Sequence, residues 1–289
     1  MKWLIGNMDR EFSPGEVENS VSKILENAVR LNNRKTFEFI LSSIDLTTLN
    51  PTDTEQQAGM LAEKVNRFHE DYPKLPNVAA ICVYPVLIKA VRKNLRVEGV
   101  KVASVSGGFP SSMTFMKVKK LETRLALDEG ADEIDIVLPL SLFLSENYTE
   151  VVNEIAALKK ICGEVILKVI LETGALKTPE NIWKASILAM QAGADFIKTS
   201  TGKYEPAATP EAAWVMCQAI RAYHERTGRK VGFKAAGGIV DTANALSYVA
   251  IVQEVLGVEW LNNRLFRIGA SRLANNLLTS IKGKPVVYF

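Results

Sequence analysis

Five ionisable side chains sit inside short apolar runs of this sequence. They are Asp45 in SSIDLTTL, Asp135 in DEIDIVL, Lys168 in VILKVI, Lys198 in FIKTST and Lys234 in GFKAAGG. A charge flanked by strand-forming apolar residues is expensive unless it is paired or neutralised. Three lysines and two aspartates offer one distinctive chemistry. A lysine amine attacks a carbonyl carbon to form a Schiff base, but only when neutral, and free lysine has a pKa of ~10.4. Bringing that value to ~7 means disfavouring the ammonium form by roughly 4–5 kcal/mol. Burial and a neighbouring cation both act in that direction. Lys198 and Lys234 lie on successive predicted strands, so their side chains can meet. An aspartate, bridged by water, can then move protons at the substrate's carbon and oxygen. The pattern fits Schiff-base aldol chemistry, and buried ion pairs without catalysis remain the alternative.

Glycine-rich turns follow these strands. Lys198 is succeeded by TSTGK, which supplies Thr201, Gly202 and Lys203, and Lys234 by Ala236-Gly237-Gly238. A third stretch, Ile268-Gly269-Ala270-Ser271, ends the last apolar run and opens a helix. Backbone amides at such turns and at helix N-termini hold anions. Together with Lys203 they favour a phosphorylated small molecule. Neither Gly-x-Gly-x-x-Gly nor a Walker loop occurs, so dinucleotide and triphosphate binding lack support.

The elements that must position these residues read as a repeated beat of short apolar run, loop and amphipathic helix. The runs are Ile44–Leu46, Val78–Val83, Val100–Val105, Glu133–Leu138, Glu164–Ile170, Asp195–Lys198, Val231–Lys234 and Phe266–Ile268. Helical patterns fill the gaps. One spans 54–69, with Gly59, Met60, Leu61, Val65 and Phe68 on its apolar face. Another spans 114–129, with Phe115, Val118, Leu121, Leu125 and Ala126. Strands alternating with helices pair in parallel, because a parallel crossover needs a dozen or so residues. Eight units predict a closed (β/α)8 TIM barrel, with a doubly wound open sheet as the alternative. GADEID at 130–135 and GADFIK at 193–198 repeat one pattern and put Asp135 and Lys198 at equivalent strand positions. A leading helix is expected over 13–32, capped by Ser13 with Pro14 at its first position and Glu16 closing a capping box. The organisation expected is an N-terminal helical extension over 1–36 and one barrel domain over 37–289 with a short tail.

Composition narrows the class. With 47% apolar residues the chain can build a large core, and no run approaches a membrane span. The start, MKWLIGNMDR, lacks a signal-peptide core. A net charge of +3 without basic motifs does not point to nucleic acid. Cys82, Cys162 and Cys217 stand far apart, and His69 and His224 lie in helix-like contexts. Neither a metal centre nor a Ser-His-Asp triad is suggested, and no cofactor is implied. A cytoplasmic protein is expected.

The quoted runs have a wider likeness. IDLTTLN, AAICVYP, GADEIDIV, ILKVILETG, AGADFIKTSTGK, ATPEAA, VGFKAAGG and FRIGAS, in order from residue 44 to 271, resemble the deoxyribose-phosphate aldolases, class I aldolases of the barrel type. The resemblance implies reversible cleavage of 2-deoxy-D-ribose 5-phosphate to D-glyceraldehyde 3-phosphate and acetaldehyde. It puts the Schiff-base lysine at Lys198, the lysine that perturbs it at Lys234, and the proton-relay aspartate at Asp135 with Lys168 as partner. Asp45 falls on a substrate-hydroxyl contact. Lys203, Gly237, Gly238 and Ser271 fall on phosphate or substrate contacts, beside Thr201, Gly202 and Gly269 in the same turns. Cys82 corresponds to a cysteine near the aldehyde pocket, or is a small core residue; Thr201 serves the substrate or the turn. A homodimer is also expected. The chain departs from the pattern at Ala235, where proline is usual, and at Val240-Asp241, where a polar or basic residue is usual. Arg272 replaces a serine and either restores the missing cation or faces solvent. Tyr288 is penultimate in KPVVYF, where the family often ends in a tyrosine that reaches the site; an unordered tail is the other reading. A different class I aldolase and a catalytically silent sugar-phosphate binder are the competing functions.

Overall fold

The computed structural model describes residues 9–289, so the reading of the leading residues as lacking a signal-peptide core lies outside the described part. Among the described residues there are eight strands: β1 Ile44–Thr47, β2 Ala80–Val83, β3 Lys101–Ser106, β4 Glu133–Val137, β5 Ile166–Ile170, β6 Phe196–Lys198, β7 Gly232–Ala236 and β8 Phe266–Ala270. All pair in parallel in sequence order, and β8 closes onto β1. This is the closed (β/α)8 barrel, not the open sheet.

The helices are α1 Glu16–Asn27, α2 Arg34–Leu41, α3 Glu55–Asp71, α4 Ile88–Asn94, α5 Met116–Asp128, α6 Leu140–Leu144, α7 Tyr148–Cys162, α8 Thr173–Leu176, α9 Pro179–Gln191, α10 Pro210–Thr227, α11 Thr242–Leu256 and α12 Leu273–Lys282. Sequence starts them cleanly. Thr54, Thr178, Thr209 and Asp241 each cap a helix by accepting a backbone N–H three residues on. No helix of the described residues is long and apolar enough to cross a membrane.

Strand alternation divides the core. Ile134, Ile136, Leu167, Val169, Ile197, Phe233, Phe266 and Ile268 pack into the helical shell. A second, smaller apolar cluster on β2 and β3 comprises Ala80, Cys82, Ala103 and Val105 with Leu49. Asp45, Glu133, Asp135, Lys168, Lys198, Lys234 and Arg267, from β1, β4, β5, β6, β7 and β8, are all buried.

Several helix details differ from expectation. The first helix begins at Glu16, not Ser13, because Gly15 takes a left-handed turn at φ 77° before it. Only half of the capping box forms: Glu16 accepts from the Ser13 N–H at 3.1 Å, while the Ser13 hydroxyl donates to Glu16 instead of capping. After Asn27 the chain continues as a 3-10 turn over Ala28–Leu31, and α1 packs along α10 and α11. The expected boundary at 36/37 falls inside α2, whose Phe37, Ile40 and Leu41 are buried. On α5 the apolar stripe faces the wrong way: Phe115, Val118, Leu121 and Leu125 are exposed, and Lys119, Thr123 and Ala126 are buried. Polar partners make that inward face acceptable. Lys119 donates to Ser112 at 2.8 Å and pairs with Glu154, and Thr123 meets the Ser106 hydroxyl at 3.0 Å. On α3, Met60 is also exposed, unlike Gly59, Val65 and Phe68.

Glycine makes room for the barrel floor. A Cβ on Gly232 would lie 2.3–2.6 Å from the Phe196 ring. Gly232→Ala is expected to lower stability by about 1–3 kcal/mol through overpacking, and Gly232→Ala/Phe196→Leu to recover part of it, measured by urea unfolding.

Candidate active site

Strand register brings the charged residues together in pairs. Asp135 stands opposite Lys168, and Lys198 opposite Lys234, which in turn stands opposite Arg267. The carboxylate of Asp135 is the hub. Its Oδ2 accepts from Lys198 Nζ at 2.9 Å and from Lys234 Nζ at 2.8 Å, and its Oδ1 accepts from Lys168 Nζ at 2.9 Å. Asp45 holds Lys234 from the other side at 2.5 Å. Lys168 is also paired to Glu133 at 2.6 Å.

Two members of this cluster were missed by sequence reasoning. Arg267 donates to Glu133 at 2.8 and 3.2 Å and to Asp45 at 2.5 Å. Both Glu133 and Arg267 lie inside strand runs, so the rule that singled out the other five also applied to them. Glu133 is two residues before Asp135 and shares its face of β4.

The network distributes protons unequally. Burial, then the charge of Lys234, pushes the Lys198 amine below the ordinary lysine range, against the pull of Asp135. Burial also opposes the charge of Lys234, but Asp135 and Asp45 more than reverse this and hold it as an ammonium. Lys168 is likewise kept charged, since Asp135 and Glu133 outweigh its burial. Burial would raise Asp135, yet Lys168, Lys234 and Lys198 hold it well below the usual carboxylate range. The two lysines of the β6–β7 pair are therefore pushed in opposite directions: Lys234 toward the ammonium, Lys198 toward the neutral amine.

Lys198 is the last residue of β6 and lines a cleft of about 610 Å³ at the C-terminal mouth of the barrel. Thr201, Gly202, Lys203, Gly237, Gly238, Gly269, Ser271 and Arg272 line the same cleft. Gly237 and Gly238 hold φ of 90° and 75°, a succession that only glycine adopts without strain. Lys203 Nζ donates to the Leu49 carbonyl at 2.7 Å, spanning the opening.

A family model described as DeoC/LacD family aldolase matches residues 39–255. The chain belongs to that aldolase family. A human deoxyribose-phosphate aldolase is 45% identical over 244 residues, covering 81% of this chain and 77% of its own. A Caenorhabditis elegans protein provisionally given the same name is 45% identical over 276 residues, covering 94% of this chain and 90% of its own. The crystal structure of a tetrameric deoxyribose phosphate aldolase from Aeropyrum pernix superposes with a TM-score of 0.69 at 28% identity, covering 90% of this chain and 97% of that one.

Within this aldolase several expected site residues have other employment. The Thr201 hydroxyl donates to Glu172 and accepts from the Lys203 N–H at 3.0 Å, so its side chain serves the turn. A Cβ on Gly269 would meet the Lys234 Cε at 3.1 Å, so this glycine clears a path for the lysine stem as well as lining the cleft. Asp45 is fully buried beneath the cleft, with Lys234 and Arg267 as partners. Cys82 does not line the cleft. It belongs to the apolar cluster, and burial pushes its thiol up.

The tail is a clear correction. Tyr288 does not reach the site: its hydroxyl lies 3.0 Å from both the Lys64 carbonyl and Asp71, and its ring packs against Phe68 and Tyr72. The tail is tethered to α12, where the Asn275 side chain holds the N–H groups of Tyr288 and Phe289 and the Phe289 carbonyl. Phe289 lines the cleft instead. Asp241, an unwelcome anion on the sequence reading, is committed to capping α11, and Val240 alone of that pair lines the cleft.

The 199–203 turn hangs on Glu172, which is buried, sits at φ 56° and accepts the Thr201 N–H at 3.0 Å. Glu172→Ala is expected to cost about 1–3 kcal/mol and to make the 199–206 segment the first site of limited proteolysis. Glu172→Gln, which keeps an acceptor, should do so less.

Proposed function

We propose that this aldolase cleaves 2-deoxy-D-ribose 5-phosphate to D-glyceraldehyde 3-phosphate and acetaldehyde, reversibly, through a Schiff base on Lys198. The observation that carries the reading is the cleft-lining amine of Lys198, shifted toward its neutral form beside the Lys234 ammonium that two carboxylates hold charged.

The neutral amine attacks the aldehyde carbon of the open-chain sugar, and the carbinolamine loses water to give an iminium. The C3 hydroxyl then gives up its proton while the C2–C3 bond breaks. The bonding pair flows into the iminium to form an enamine, and C3 leaves as the aldehyde of glyceraldehyde 3-phosphate. Protonation of the enamine carbon and hydrolysis release acetaldehyde and regenerate the amine. Asp135, ionised at rest, is the proton acceptor nearest Lys198, on an oxygen it shares with Lys234, and it relays protons to and from the substrate through water. Lys168 holds the other oxygen of Asp135 and so fixes its orientation. Asp45 holds Lys234 in place.

The phosphate end is assigned to the rim formed by Gly202, Lys203, Gly237, Gly238 and Ser271, where the backbone turns and the start of α12 favour an anion. Arg272 supplies the cation that Val240 does not; it is exposed at the helix start and lines the cleft. The reading calls on no cofactor. It describes a cytoplasmic homodimer of deoxyribonucleotide catabolism, acting on a small sugar phosphate and not on nucleic acid or membranes.

Cyanoborohydride with acetaldehyde is the deciding experiment: hydride adds to the imine carbon and leaves N-ethyl-lysine. The expected outcome is modification of the Lys198 peptide well ahead of the slow background on exposed lysines, and only that background in Lys198→Met. A silent sugar-phosphate binder would show the background alone, and an aldolase for another donor would be trapped by that donor and release no acetaldehyde from the deoxy sugar. Arg272→Ser should raise KM for the phosphorylated sugar about tenfold, as loss of a charge-assisted contact does, and leave KM for 2-deoxyribose unchanged. An unchanged KM for the phosphate ester overturns the role of Arg272.

A further inference from the structure

Seven ionisable side chains form one continuous buried network. The cations are Lys168, Lys198, Lys234 and Arg267, and the anions are Asp45, Glu133 and Asp135. Four positive groups face three negative ones, so a fully protonated network carries one uncompensated charge in a buried barrel interior. Loss of one proton balances it. Lys234 and Arg267 each touch two carboxylates and Lys168 three, whereas Lys198 touches Asp135 alone of the three, on an oxygen it shares with Lys234. Lys198 is thus the group that the network can release.

The count depends on residues that do not approach the cleft. Arg267 and Glu133 lie below Lys234 and Lys168, and neither lines the opening. Resting on the proposed Schiff-base role of Lys198, we propose that Arg267 and Glu133 are positioning residues of this site: as a buried ion pair they complete the fixed charges beneath Lys198 and so decide that its amine is the one left unprotonated. The geometry supports this over simple packing. Arg267 binds Asp45 as well as Glu133, so it takes one carboxylate oxygen of Asp45 and leaves the other to Lys234. Glu133 in turn shares Lys168 with Asp135. Without Arg267, three carboxylates would face two committed lysines, and the vacancy would be filled by a proton on Lys198. Without Glu133 the imbalance has the opposite sign. Other groups facing Lys198 are Asp135 on β4, Lys234 on β7 and Cys82 on β2, with Lys168 and Asp45 one contact further; all are kept in every variant.

The test is the pH dependence of the rate at which acetaldehyde and cyanoborohydride trap Lys198, with thermal unfolding of each variant in parallel. Arg267→Gln should move the acid limb of the profile alkaline by about one pH unit, seen as roughly tenfold slower trapping on the acid side. Glu133→Gln should not move it alkaline. Arg267→Lys, which keeps the charge, should leave the limb near that of the wild type. Glu133→Gln/Arg267→Gln, which removes one charge of each sign, should return it there even if the protein is less stable. A merely structural pair would change the unfolding temperature and leave the limb in place. Equal displacement in both single variants, no displacement in Arg267→Gln, or failure of the double variant to restore the limb overturns the proposal. If Arg267→Gln does not fold, the double variant, which orphans no charge, decides: a displaced limb sinks the idea. Failure of trapping in the wild type would instead sink the Schiff-base reading.

Discussion

One carboxylate oxygen governs this barrel. Asp135 Oδ2 is held by two lysines at once, and no other arrangement in the network makes two ammonium groups compete for one acceptor at comparable distance. A buried carboxylate that must be ionised attracts cations, and a buried cation without enough carboxylates sheds its proton. Both statements hold at the same atom. Asp135 stays ionised because three lysines surround it, and Lys198 is weakened because it is the third of them. The reactivity of the amine is a property of the cluster's composition, and Lys198 by itself is an ordinary lysine.

The barrel accommodates this cluster by dividing its interior. On β2 and β3 small apolar side chains fill the space, and the charges are carried by the remaining strands. Long polar side chains need length and small neighbours. Gly232 gives way to the Phe196 ring, over which the Arg267 guanidinium lies at 5.8 Å, and Gly269 gives way to the Lys234 stem. An alanine at either glycine would press on the floor that supports the charges. Packing and electrostatics therefore constrain the same few positions, and the glycines on β7 and β8 matter for their missing side chains more than for backbone freedom.

Much of this was legible in the sequence, for a physical reason. A lysine or aspartate between β-branched and aliphatic residues breaks the pattern of a buried strand, and five such breaks were enough to locate the centre. Glu133 and Arg267 break it equally, but Glu133 opens its run directly after Asp132 and Arg267 follows Arg264 by only three residues, so each reads as the solvated start of a run. The register that places Arg267 opposite Lys234 is a tertiary fact. Helix orientation was less legible. Periodicity on α5 identifies an apolar stripe but not which stripe turns inward, and Lys119 wins the inner face because Glu154 and Ser112 are there to meet it. The tail was misread for a similar reason. Tyr288 and Phe289 are adjacent and both rings pack on Phe68, but Tyr288 turns to Tyr72 while Phe289 faces the cleft.

Why Lys198 reacts and Lys234 does not follows from two independent requirements that only one residue meets. The nucleophile must be able to lose a proton and must be reachable. Lys168 and Lys234 are fully buried and doubly held by carboxylates, so they fail both. Lys198 ends the shortest strand, only three residues long, so its side chain emerges where the barrel opens. One residue further along, the chain is already in the Thr199 turn, whose hydroxyl accepts the Ala236 N–H at 3.0 Å and holds β6 against β7. That contact keeps the β6–β7 register that sets Lys198 against Lys234. Moving Lys198 by one position would turn it into the helical shell; moving it by two would lift it away from Asp135. Access and acidity are thus supplied by the same strand end, which is why they cannot be optimised separately in this fold.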